Sequence, residues 1–161
     1  IGKSIKEENC ETIIDDIFKS SKYYSCSIIL PDDVATGKKM EDHSTVKDLD
    51  EIENDDLILD IGPKTIKKIN YIIESSKTIL WNGPAGYFEN PHFAKGSFEI
   101  GKKIEEKNKL NQIFSVAGGG DTAALLNKIG IFNSFNFVST AGGAFLEYLE
   151  GKELPGIKAL S

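Results

Sequence analysis

The sequence predicts an α/β fold built on a doubly wound parallel sheet. Two observations carry that reading. Short, continuous apolar runs alternate about five times with segments of helical periodicity, the pattern of parallel strands covered on both faces by crossover helices. Several of these runs stop at Pro31, Gly62-Pro63, Asn82-Gly83-Pro84 or Gly118-Gly119-Gly120. Distinctive loops therefore follow strands, and the carboxyl ends of strands are where such sheets bind ligands.

Taken in order, residues 5–19 carry Ile5, Cys10, Ile13, Ile14, Ile17 and Phe18, whose spacing at i, i+3, i+4 and i+7 predicts an amphipathic helix. Ser27-Ile28-Ile29-Leu30 reads as a buried strand stopped by Pro31. Residues 31–56 read as a loop-rich connection, with room for one strand around Asp33–Thr36. Leu57–Ile61 is the next strand and Thr65–Ser75 a helix with Ile66, Ile69 and Ile73 on one face. Thr78–Trp81 is a strand, and His92 to about Lys107 a helix with Ala94, Phe98, Gly101 and Ile104 inward. Ile113–Ala117 is a strand, Asp121–Ile129 a short helix, Phe135–Ser139 the last strand and Gly142–Glu150 the last long helix.

Composition narrows the function classes. At 161 residues, 40% hydrophobic and 27% charged, the chain has the make-up of a soluble globular domain with a real core. All of its basic residues are lysines. Without arginine, a bound phosphate has to rely on lysine, backbone N–H groups or metal. A net charge of -6 argues against nucleic acid or an anionic membrane as a general partner. No apolar run approaches the ~20 residues of a membrane span, and no signal peptide is visible, so a cytoplasmic location is expected. Cys10 and Cys26 read as reduced thiols, with a lone disulfide as the alternative. His43 and His92 read as solvated, Asp32-Asp33 and Asp55-Asp56 as solvated turn residues, and Lys64 as a helix-start lysine. No cluster has structural-zinc spacing. The chain begins Ile1-Gly2-Lys3 and its only methionine is Met40, which reads as a piece of a longer protein.

Three loops carry the chemistry. In Ser115-Val116-Ala117-Gly118-Gly119-Gly120-Asp121-Thr122, glycines free the backbone for close approach. The helix that follows aims unsatisfied N–H groups at the same spot, an anion site of the phosphate-cradling kind. Asp121 offers a carboxylate for Mg²⁺; the alternative is an N-cap above a tight glycine turn. The spacing is neither that of a P-loop nor G-x-G-x-x-G. Ser139-Thr140-Ala141-Gly142-Gly143-Ala144 repeats the construction, with an N-cap by Ser139 or Thr140 as the alternative. Trp81-Asn82-Gly83-Pro84-Ala85-Gly86-Tyr87-Phe88-Glu89 offers a stiff wall and a carboxylate, suited to a base and a ribose. Its alternative is an ordinary loop with the aromatics in the core.

These segments together resemble phosphoglycerate kinase, in its C-terminal, nucleotide-binding domain. The residues that carry the resemblance run in order: Gly2-Lys3-Ser4 with Glu7, Ile29-Leu30-Pro31 with Asp33, Asp60-Ile61-Gly62-Pro63-Lys64-Thr65, Trp81-Asn82-Gly83-Pro84, Phe88-Glu89 and Phe93-Ala94-Lys95-Gly96. They continue with Gly118-Gly119-Gly120-Asp121-Thr122-Ala123, Ser139-Thr140 with Gly142-Gly143-Ala144, Leu146-Glu147 to Leu149-Glu150-Gly151-Lys152, and Leu154-Pro155-Gly156. The resemblance implies a Rossmann-like, three-layer α/β/α sheet, incomplete at its N-terminal side, with residues 1–161 forming most of that domain. It implies Asn82, Pro84 and Tyr87 against the nucleotide, Glu89 on the ribose and Asp121 on the Mg²⁺ of bound ATP or ADP. Gly119, Gly120 and Thr122 would meet the phosphates. Thr140, Gly142 and Gly143 would form the catalytic helix terminus that steadies the transferred phosphoryl group.

Departures from the family pattern are Ala141, where a glycine is usual, and Tyr87, where a small aliphatic residue is commoner. Asp32–Gly37 follows the pattern only loosely. The family's lysine-bearing strand, a further glycine-rich loop and the arginine-bearing N-terminal domain are not found. The expectation is therefore a chain that binds nucleotide, meets 3-phosphoglycerate or 1,3-bisphosphoglycerate only with that missing domain, and is inactive alone. The parent enzyme is expected to be monomeric, whereas an open strand edge of the fragment would favour association. A stand-alone α/β interaction module is the reading from a different class.

Overall fold

A computed structural model of the chain describes residues 2–160. Helix α1 spans Glu11–Tyr23, a few residues later than its apolar spacing alone suggests. The next apolar run, Ser27–Leu30, forms no strand. A strand exists only through ladder bonds to a neighbour, and no described strand lies beside it; Ile28, Ile29 and Leu30 stay exposed. The segment around Asp33 does form a strand, β1 (Asp33–Gly37), and a second follows it, β2 (Thr45–Asp48), which the polar sequence concealed. Next come β3 (Leu57–Ile61) and α2 (Pro63–Ser75). β1 pairs antiparallel with both β2 and β3, giving a small sheet of order β2-β1-β3.

The second half has the expected parallel character. Strand β4 (Thr78–Asn82) leads through a 3-10 turn to α3 (Lys95–Lys109), then β5 (Phe114–Gly118), α4 (Gly120–Lys128), β6 (Phe137–Ser139) and α5 (Gly143–Leu149). A short α6 (Pro155–Lys158) closes the chain. The strands form one parallel sheet of order β4-β5-β6. The α/β class and the Rossmann-like parallel sheet with helices stand as expected, but only three of the strands share it.

One core joins α2, α3 and α4 to the inner face of that sheet: Ile73, Trp81, Ile100, Ile104, Ala117, Leu125 and Leu126 are buried together. A smaller cluster of Ala35, Leu59 and Phe93 fills the antiparallel half. Gly101 on α3 lets the helix approach Ile129 and Ile131, since a Cβ there would stand 2.9 Å from Ile131.

Two aspartates expected in solvated turns are buried instead. Asp33 is fully enclosed and caps α2 from outside it. Its carboxylate accepts the Lys64 N–H at 2.9 Å, the Thr65 N–H at 2.8 Å and the Thr65 hydroxyl at 2.8 Å. Gly62, the N-cap, has no side chain with which to do this, and a Cβ on it would collide with Asp33 at 2.2 Å. Asp56, 1% exposed, accepts from Lys47 Nζ and the Glu53 N–H, both at 2.8 Å, and pairs with Lys38 at 2.9 Å. The donors of Asp33 are brought near only by the tertiary fold, whereas Asp56 combines a local turn donor at Glu53 with Lys38 and Lys47. Lys64 starts α2 as expected and pairs with Asp48 at 2.6 Å.

Candidate functional site

Parallel register aligns three strand ends. Asn82 of β4 lies opposite Gly118 of β5, and Gly118 opposite Ser139 of β6. The three loops singled out in the sequence therefore leave the sheet side by side along one edge. Gly119 donates its N–H to the Ser139 carbonyl at 3.0 Å, stitching the two glycine loops together. The loops touch: a Cβ on Gly142 would stand 3.4 Å from the Gly119 Cα. Gly119 itself has φ 95, and a Cβ on it would meet Asn82 Oδ1 at 3.0 Å. Only glycine fits that crossing of left-handed backbone and close approach.

Helix α4 starts bare. Gly119 is its N-cap, and no side chain caps its first turn. The alternative of Asp121 as an N-cap is thereby set aside. Asp121 stands within the first turn, exposed, and its carboxylate has no hydrogen bond or ion pair among the described residues. Unsatisfied N–H groups and the positive end of the helix dipole sit beside it. A single hard carboxylate at an anion-ready terminus suits Mg²⁺, which takes one or two protein carboxylates and completes its shell with water and phosphate oxygens. Among the described residues the acidic group with metal-like spacing, Glu53, Asp55 and Asp56, is tied up in ion pairs with Lys38 and Lys47.

Thr122 is fully buried, and its hydroxyl accepts the Gly83 N–H at 2.8 Å. What it turns toward the edge is backbone; its side chain ties the β4 loop to α4. Trp81 Nε1 donates to the Gly83 carbonyl at 2.8 Å, and Ala85 N–H to Ser97 Oγ at 2.9 Å. Lys128 fastens the far end of the same loop, donating to the Phe88 carbonyl at 2.8 Å and lying 5.5 Å over the Phe88 ring. Glu89 follows, exposed.

Pro84 and Tyr87 line a cleft of about 400 Å³ with Pro31, Val34, Leu59 and Asp60. Tyr87 packs on the Leu59 and Phe93 cluster, so the apolar wall expected of this loop is shared with the antiparallel sheet. Val34 and Leu59 were not singled out from sequence; their place in buried stretches of β1 and β3 is what brings them to the cleft. On the β6 side Thr140 and Gly143 are exposed, and Ala141 donates its N–H to Ser139 Oγ at 3.2 Å. The β4 loop, the Gly119 loop and the Gly142 loop thus meet at one edge, with the cleft beside Pro84 and Tyr87.

The cleft wall presses on Asp60. Burial pushes its carboxyl above the ordinary range, against the lowering effect of N–H groups from Gly96, Ile61 and Lys95. Asp33 ends below the ordinary range: burial raises it, but the donors from Lys64 and Thr65 more than reverse this. No helix among the described residues is long and apolar enough to cross a membrane. Cys10 and Cys26 are free thiols.

A family model, that of phosphoglycerate kinase, matches residues 1–152. The chain belongs to the phosphoglycerate kinase family. The phosphoglycerate kinase of Zymomonas mobilis is 42% identical over 162 residues, a match spanning 99% of this chain and 41% of that protein. That of Caulobacter vibrioides is 43% identical over the same extent. The solved phosphoglycerate kinase of Coxiella burnetii superposes with a TM-score of 0.89 at 37% identity, covering 100% of this chain and 41% of that one. The Pyrococcus horikoshii enzyme gives 0.71 at 30% identity. The chain therefore spans about two fifths of the length of the relatives it matches.

Proposed function

We propose that residues 1–161 are most of the nucleotide-binding domain of a glycolytic phosphoglycerate kinase. The whole enzyme would move a phosphoryl group reversibly between 1,3-bisphosphoglycerate and Mg·ADP, giving 3-phosphoglycerate and ATP in the cytoplasm. The observation that supports this most is the register of the three strand ends, with Gly119 against Gly142 and Asp121 unpaired beside them.

In this reading Pro84 and Tyr87 take the base, Asn82 the near side of the nucleotide and Glu89 the ribose hydroxyls. Gly119, Gly120 and the backbone of Thr122 take phosphate oxygens through N–H groups that are already aimed and cost no reorganisation. Asp121 holds the Mg²⁺, whose charge would neutralise that developing on the phosphates. Thr140, Gly142 and Gly143 steady the group in transit. The acid substrate needs the domain that this chain does not contain, because no arginine is available to clamp it. The chain alone is expected to hold nucleotide and turn none over.

Calorimetric titration with Mg·ADP tests the site. Heats are expected for the chain and lost for Asp121→Ala. Equal heats for both, or none for either, overturn the metal role; phosphoglycerate-dependent ATP consumption by the chain overturns its incompleteness.

A further inference from the structure

We propose that His43 and His92 together form a site for a transition-metal cation of the zinc class, and that an ion held there clamps the turn between β1 and β2 to the loop that carries Tyr87 and Glu89. These are the two histidines of the chain. They come from separate parts of the fold, His43 from the β1–β2 turn and His92 from the 3-10 turn before α3. Their ring centroids nevertheless stand 4.0 Å apart, with the planes tilted by 53°. Both residues are exposed, and among the described residues no nitrogen of either ring makes a hydrogen bond or ion pair. The ring nitrogens are thus available to a ligand from solution.

Backbone on either side brings the rings together. Asn90 donates from Nδ2 to the carbonyls of Met40 at 2.8 Å and Asp42 at 3.1 Å, just ahead of His43. Its Oδ1 accepts the His92 N–H at 3.0 Å. One side chain therefore sets both segments, and each is braced from behind. The Asp42 carboxylate accepts the Lys38 and Lys39 N–H groups, both at 2.8 Å, which fixes the turn. Phe93, the neighbour of His92, is fully buried, and a Cβ on Gly37 would stand 2.9 Å from its ring. The two imidazoles are held as neighbours by the fold itself, so little ordering remains for a ligand to impose.

The donor set selects the ion. Imidazole nitrogen suits Zn²⁺, Cu²⁺ and Ni²⁺, whereas carboxylate, carbonyl and water oxygens suit Mg²⁺. Zinc–nitrogen bonds of about 2.0–2.1 Å require that each ring turn one nitrogen toward a common point, which exposed side chains at this spacing can do. Water would complete the shell. The surroundings favour a cation as well. A hollow of about 410 Å³ beside His43 carries Glu41, Asp42 and Asp56 against Lys38 and Lys47, and both lysines are already engaged by acids. An acidic excess of this kind raises the local concentration of counter-ions. The Asn90 N–H donates to the Tyr87 carbonyl at 3.2 Å, so an ion on His92 would also steady the end of the Tyr87 loop.

The site does not depend on the nucleotide reading, and its test contains no nucleotide. Calorimetric titration of the 161-residue chain with Zn²⁺ should give one ion per chain, undisplaced by excess Mg²⁺. His43→Ala and His92→Ala should each weaken binding by at least about 100-fold, the upper end of what losing even a supporting group costs, and Asn90→Ala by about 10-fold. Far-UV circular dichroism should be unchanged in both histidine variants, since the side chains removed are exposed. Zn²⁺ should slow amide exchange at Tyr87–Asn90 in the parent chain and not in His43→Ala. Cys10→Ser with Cys26→Ser, which removes the free thiols, should leave the affinity as it was. No binding, or binding within about tenfold of the parent in either histidine variant, overturns the proposal. So does binding lost with the cysteines, binding displaced by Mg²⁺, or binding that leaves the Tyr87–Asn90 amides unprotected.

Discussion

In the β1–β3 half, Asp33, Asp56 and Asp60 lie at 0–3% exposure with donors closed around each carboxylate; in the β4–β6 half, Asp121 is exposed at a bare helix start with no donor on it. Both halves hold acids beside the start of a helix, so the difference lies in satisfaction. A buried carboxylate with its donors in place is a structural joint, and removing it leaves those donors orphaned. An exposed one beside unsatisfied N–H groups is free to meet something from solution. The halves also differ in cover: the antiparallel half is closed over β1, buried along its whole length, while the parallel sheet is bare on one side.

The strongest test of this contrast is Asp33→Ala. It removes the acceptor from the Lys64 and Thr65 N–H groups and from the Thr65 hydroxyl. The expected loss is about 3 kcal/mol, the scale of a lost cap plus orphaned buried donors, read as a lower urea midpoint. A loss below about 1 kcal/mol, in the range of ordinary surface changes, would break the distinction between the two kinds of acid.

Thr122→Val comes next. It keeps the shape and strands the Gly83 N–H, for an expected cost of about 1–2 kcal/mol. Thr122→Ser should recover most of that loss, since the hydroxyl is the working atom. No effect from valine would mean that the β4 loop is not held to α4 as described.

A smaller effect separates the buried acids from one another. Asp60 has its folded pKa raised, first by burial. The native state then keeps this proton where the unfolded chain has released it, and stability from the group is lost as pH rises through the folded value. Asp33 and Asp56 are lowered, the latter chiefly by Lys47 and the Glu53 N–H. Their contribution is present above the unfolded value and lost as pH falls through the folded one. Acidification below about pH 4, the ordinary aspartate value, should therefore destabilise the chain, and Asp60→Asn, which removes a group that adds stability as pH falls, should make that decline steeper. A shallower decline in the variant would reverse the sign assigned to Asp60.

The parallel half was legible in sequence because its strands are continuous apolar runs that end in glycine, and each local pattern agrees with the tertiary role. Thr78–Trp81 and Ile113–Ala117 appear within a residue or so of their predicted bounds. The antiparallel half was less legible. β2, Thr45-Val46-Lys47-Asp48, is polar and half-exposed, so pairing with β1 holds it where apolar content would not. Asp33 looked like a turn residue because its donors are distant in sequence, Thr65 being 32 residues away; Asp56 does close a turn with the Glu53 N–H, but its burial depends on Lys38 and Lys47 folding over it. Ser27–Leu30 failed in the opposite direction, carrying strand propensity without a partner to express it. In the site, Asp121, Gly119 and Gly142 were readable from motif and position, whereas Val34 and Leu59 needed the folded cleft to be noticed.

The last and smallest effect on stability belongs to Asp121, and its smallness is the point. Asp121→Ala removes no intramolecular bond from an exposed side chain, so unfolding should move by no more than about 0.5 kcal/mol, as for surface substitutions in general. A carboxylate near a helix start favours the dipole slightly, which sets the direction of that small change. The same variant should lose Mg·ADP binding, while Asp33→Ala, measured where it is still folded, should keep it. The two substitutions then cross: one acid matters to the fold and not to the ligand, the other to the ligand and not to the fold. An Asp121→Ala chain that melts early, or that binds Mg·ADP unchanged, would place Asp121 with the structural acids and leave the anion-ready end of α4 without its metal partner.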